Sequence, residues 1–128
     1  MKPTVFLFGE SEKGDFGTPL ICHSLPHLCD TLGEPPQETQ GVPYAIQTLL
    51  YNRQLVFYRV REEGFSTREY INGLRLLKQK PLPVDLHALL IPGVGDVEVI
   101  EEASSVCSMY KSLLVITQRD LYDYLTAT

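Results

Sequence analysis

Residues 22–29 read Cys-His-Ser-Leu-Pro-His-Leu-Cys, two thiols and two imidazoles in one short stretch. Zinc takes four nitrogen or sulfur ligands converging as a tetrahedron, so Cys22, His23, His27 and Cys29 are the sharpest metal candidates in the chain. Their placement works against that chemistry. Ser24 offers a helix N-cap, Pro26 fits a first turn, and Leu25, Leu28, Cys29 and Leu32 share one apolar helical stripe that leaves His27 to the side. The expectation is buried cysteine beside surface histidine, with no metal bound. The surroundings also lack the signature of a cysteine nucleophile paired with a histidine.

A second stretch, residues 5–20, reads VFLFGESEKGDFGTPL: an apolar run, then a glycine-containing loop. Many phosphate sites begin this way, but a P-loop needs G-x-x-x-x-G-K-[ST] and a dinucleotide turn needs G-x-G-x-x-G. Gly9-Glu10-Ser11-Glu12-Lys13-Gly14 satisfies neither, and Glu10 and Glu12 would repel the anion. Nor is it a nucleophile elbow, because Lys13 stands where the second glycine of G-x-S-x-G belongs. A solvated loop is the simpler expectation.

A third stretch, residues 91–96, reads IPGVGD and follows an apolar run. Open α/β sheets bind ligands at the carboxyl ends of their strands, so Glu10, Ser11, Gly93 and Asp96 form the alternative ligand loops. Asp96 also suits a helix N-cap, and Glu98, Glu101 and Glu102 complement the macrodipole of the helix that follows. His87 lies within a strand-like run and reads as satisfied or half-exposed. No grouping unites a nucleophile, a base and an oxyanion donor, so no catalytic residue and no cofactor is assigned.

The elements that would position these residues alternate. Apolar runs at 4–9, 54–60, 85–93 and 112–117 suit strands buried on both faces, and 18–22 offers a further extended piece. Helical spacing follows Ser24, spans 42–53, opens after Ser66 with Glu69 as a capping box, runs from Asp96 to about Tyr110, and returns at 119–125. This predicts an α/β fold in three layers: a mainly parallel sheet of about four strands with helices on both faces, in a single domain over 1–128.

Composition bounds the rest. A net charge of −5 with scattered basic residues speaks against nucleic acid as a partner. Three cysteines cannot all pair within the chain and suit a reducing compartment. No signal peptide and no membrane span is expected, which predicts a cytoplasmic protein that does not bind membranes.

The order of segments carries more than any one motif. A strand, a Gly-Glu loop, Thr18-Pro19, the Ser24 cap and a helix ending Gly33-Glu34-Pro35 come first; then PYAIQTLLYNRQLVFYRV; then YINGLRLLKQKPLPVDLHALLIPGVGD. Over roughly Val5 to Leu114 this resembles the core domain of the tail sheath proteins of contractile phages and related injection systems. Sheath subunits are longer and link to neighbours through extended arms that add strands. The resemblance therefore implies a minimal, sheath-core-like structural module contacting other protein subunits as a homo- or hetero-oligomer, as part of a phage or phage-like particle. The alternative is a small Rossmann-like enzyme or a ligand-sensing regulatory domain using the carboxyl-end loops.

Overall fold

A computed structural model describes residues 2–127, apart from the side chain of Asp120. In chain order the elements are β1 (Pro3–Gly9), β2 (Leu20–Cys22), α1 (Leu25–Leu32), α2 (Gly41–Leu50), β3 (Gln54–Arg59), α3 (Thr67–Gln79), β4 (Asp85–Leu90), α4 (Val97–Tyr110), β5 (Leu113–Val115) and α5 (Gln118–Thr126). The strands form one sheet in the order β2-β3-β1-β4-β5. β1 pairs in parallel with both β3 and β4, β4 pairs in parallel with β5, and only β2 runs antiparallel, along β3. The chain passes from β1 to the β2 edge, returns inward to β3, then crosses β1 to reach β4. That reversal is the switch point of a doubly wound sheet.

Alternation along the central strand divides the core. Phe6 and Phe8 of β1 join Val56 and Tyr58 of β3 beneath α3 and α4. Val5 and Leu7 join Leu55 and Phe57 on the opposite face, against α1, α2 and α5. Both faces are buried, so the strands read as continuous apolar runs rather than as polar–apolar alternation. The expected three-layer α/β architecture is what the chain adopts, with β2 as a fifth strand.

An irregularity of register lies between Thr4 and Val5, where Leu86 and Ala88 are successive partners and His87 is passed over. The bulge sends Leu86 and Ala88 to opposite faces despite their spacing of two. His87 stays exposed and meets Asp85 at 2.9 Å.

The face covered by α3 is built from aromatic rings. Phe8 stacks on Tyr70 with centroids 5.2 Å apart and lies 4.9 Å from Tyr58. Gly73 lets the helix lie directly on this layer, because a Cβ there would meet Phe8 at 2.6 Å and Tyr58 at 2.9 Å. Tyr110 of α4 donates its hydroxyl to the Leu77 carbonyl at 2.7 Å, and Lys78 pairs with Glu102 at 2.9 Å, so α3 and α4 are joined laterally.

Helix starts follow the sequence at two places and depart from it at a third. Ser24 accepts from the His27 N–H, and Asp96 accepts from the Val99 N–H. Ser66 and Glu69 do not form the expected capping box. Ser66 Oγ accepts from the Glu62 N–H at 2.7 Å, and Glu69 accepts from the Arg61 N–H while pairing with its guanidinium, both at 2.9 Å. The two side chains tie down the β3–α3 turn instead of the first turn of α3. Among the described residues no helix is long and apolar enough to cross a membrane.

Candidate functional site

At the carboxyl end of β1 the chain approaches the start of α2 so closely that a Cβ on Gly9 would lie 2.8 Å from Gly41 Cα. Two glycines of different elements, packed against each other, thus place the amino terminus of α2 over the end of the central strand. Such a terminus presents unpaired N–H groups and positive dipole, the ordinary seat of a phosphate. Here a carboxylate of the chain itself occupies it. Glu63 accepts from the N–H groups of Gln40 at 2.6 Å, Gly41 at 3.0 Å and Glu10 at 3.1 Å.

Glu10 returns the contact, its carboxylate accepting from the Glu63 N–H at 2.8 Å. The two acidic residues therefore cross-link the ends of β1 and β3 through backbone donors. Burial pushes the Glu63 carboxyl above the usual range; the three N–H bonds oppose that rise and the nearby Glu10 charge adds to it.

The neighbouring turn is closed as well. Gly64 and Gly93, with φ of 87° and 79°, bring the β3–α3 and β4–α4 loops together; a Cβ on Gly64 would fall 2.6 Å from the Gly93 carbonyl oxygen. Only glycine holds this conformation without strain at so close an approach. The Tyr70 hydroxyl accepts from the Gly64 N–H at 2.7 Å, and burial raises the phenol well above its ordinary range.

The loop after Gly9 is fixed rather than merely solvated. Arg59 donates to the carbonyls of Gly14 at 2.6 Å and Glu12 at 3.2 Å. The Phe16 ring carries Arg59 at 4.1 Å and Arg61 at 4.3 Å from its centroid. Ser11 is buried and donates to the Lys13 carbonyl at 2.8 Å, and the Glu12 carboxylate accepts from the Glu34 N–H at 3.0 Å. A phosphate cradle turns N–H groups inward; this loop turns carbonyls toward an arginine.

The four residues of the alternative ligand loops thus have internal duties. Glu10 and Ser11 follow β1, while Gly93 and Asp96 follow the adjacent β4. Glu10 holds Glu63, Ser11 holds its own loop, Gly93 packs on Gly64, and Asp96 caps α4. The metal candidates do not converge. Cys22 is buried and its thiol is pushed up to about 11 by burial, whereas Cys29 is exposed. His27 Nδ1 accepts from the His23 N–H at 3.2 Å, with the rings 5.3 Å apart. Among the described residues no three histidine, cysteine, aspartate or glutamate side chains are grouped to hold a metal ion.

Glu63, Arg59 and Tyr70 were not singled out by sequence. The usable signal was Glu62-Glu63-Gly64 directly after a strand: acid followed by glycine at a carboxyl end, where a helix amino terminus awaits an acceptor. The class defined by fold and crevice is a doubly wound α/β protein whose usual ligand position is internally filled. No family model, curated protein or solved structure matches the chain.

Proposed function

We propose that the chain is a non-enzymatic assembly module, similar to the core of a contractile tail sheath subunit, that acts through contacts with further protein subunits in a reducing, cytoplasmic setting. The observation that carries this reading is the self-filled crevice: Glu63 holds the α2 amino terminus that a nucleotide or substrate anion would need. The enzyme or sensor alternative requires that carboxylate to leave three backbone donors.

Exposed apolar side chains support association. Ile21 on the β2 edge is 42% exposed and Leu113 on the β5 edge 49%, and Ile116 just after β5 and Tyr122 on α5 are also exposed. At the carboxyl end Phe65 is 77% exposed and Val97 66%. Both edge strands have three residues, short enough to limit indiscriminate pairing while leaving an edge for a specific neighbour.

Sedimentation velocity over a dilution series tests the reading. Wild-type chain is expected to self-associate reversibly, and Leu113→Lys to shift the midpoint to at least about tenfold higher concentration, as loss of a buried apolar anchor does. A concentration-independent monomer for both would count against it.

A further inference from the structure

At the amino end of the sheet, opposite the Glu63 crevice, one cleft is lined by charge of the other sign. Thr4 is in register with Gln54, and Cys22 with Leu55, so Lys2, His23 and Arg53 arrive together where β1, β3 and β2 meet. They line a cleft of about 310 Å³, at the small end of the range for small-molecule sites. No aspartate or glutamate lines it, in a chain of net charge −5.

The cations have no carboxylate partners. Lys2 Nζ donates to the neutral Asn52 Oδ1 at 3.0 Å, and Arg53 Nη1 to the Tyr51 carbonyl at 3.0 Å. Arg53 Nε is shielded from solvent, and its guanidinium lies over the Tyr124 ring with 5.7 Å to the centroid, which leaves its charge without a carboxylate. Among the described residues the ion pairs lie elsewhere, and Asp85, in register with Pro3, is engaged by His87. Both lining amides use their oxygens internally: Asn52 Oδ1 toward Lys2, and Gln54 Oε1 toward the Thr4 hydroxyl at 3.2 Å. Their NH₂ groups are left to donate. The wall thus offers ammonium, guanidinium and amide donors, with Leu25 and Leu49 supplying apolar surface.

We propose that this cleft binds a small phosphorylated ligand, its phosphate held between Lys2 and Arg53 and its body against Leu25 and Leu49. A donor-rich wall with two cations that have no carboxylate partner selects an anion, and the outer N–H groups of the guanidinium suit a phosphate oxygen. The buried Cys22 thiol stays protonated and adds no opposing charge. This inference is independent of the assembly reading, since it uses the opposite end of the sheet.

The test is a titration of the folded chain with phenyl phosphate, followed by amide NMR shifts. Amides of residues 22–25 and 52–54 are expected to shift saturably with a Kd of about 1 mM or tighter. Benzyl alcohol, with the same ring but no charge, should leave them in place. Inorganic phosphate should shift the same amides at higher concentration, separating the anion's contribution from that of the ring. Lys2→Gln and Arg53→Gln should each weaken phenyl phosphate binding about tenfold, and Arg68→Gln on α3 should leave it unchanged. Lys2 is exposed, so its variant retains the fold. Absence of shifts up to about 10 mM, where even weak sites fill, would overturn the proposal; so would equal affinity in folded Lys2→Gln, or an equal loss in Arg68→Gln.

Discussion

Glu63→Ala strips the partner from three backbone N–H groups at once. The Gln40 N–H is exposed and can turn to water, whereas the Gly41 and Glu10 N–H groups are partly buried; an orphaned buried donor costs about 1–3 kcal/mol, so the variant should lose roughly 1–3 kcal/mol in urea unfolding. Glu63→Gln keeps an acceptor at one oxygen position but sets an NH₂ against a backbone N–H, and should lose less. Because burial raises the native Glu63 pKa, the native state takes up its proton before the unfolded chain does. The stability from this group is fully present below the ordinary value near 4.5 and fades as pH rises through the raised value. Wild type should therefore gain on Glu63→Gln as pH falls from neutrality into mild acid, read from paired urea titrations. The thiols give a separate check. Cys29 is exposed, while burial raises Cys22 and Cys107. Native alkylation should label one thiol quickly, and three in denaturant, by mass spectrometry. Spacing placed Cys29 on the buried stripe of α1, yet it is exposed, because only Leu28 and Leu32 of that stripe reach the core. Ser24 and Asp96 were legible as caps because their bonds span three residues. Glu63 binds Glu10 across 53 positions, and nothing local announces such a bond.

On α3, Gly73 sets two effects of known size against each other. Alanine favours a helix over glycine by about 1 kcal/mol, whereas a Cβ forced against Phe8 and Tyr58 overpacks the layer at about 1–3 kcal/mol. The steric cost wins because the atoms met are rigid buried rings, so Gly73→Ala should lower the melting temperature. Asn72→Ala, exposed one position earlier, should hold or raise it. The elements themselves were legible, since helical spacing and doubly buried apolar runs differ plainly along this chain. Two details were not. The bulge at His87 interrupts alternation within β4, and the Ser66–Glu69 pattern matches a capping box while serving Glu62 and Arg61 instead. For Ser66 and Glu69 the preceding turn outcompetes the helix end, at separations of four and eight residues.

For the whole molecule, the two ends of the sheet divide the chemistry. The carboxyl end is closed by Glu63, Glu10 and the touching Gly64 and Gly93 turns, while the edges keep Ile21 and Leu113 exposed. We propose that this protein works by adding subunits through those edges. Backbone hydrogen exchange on dilute and concentrated samples addresses it most directly, because a docked edge strand gains protection that a free one lacks. Amides of β2 or β5 are expected to slow with rising concentration, and Leu113→Lys to abolish the change at β5. Exchange at both edges that is the same at every concentration would contradict it.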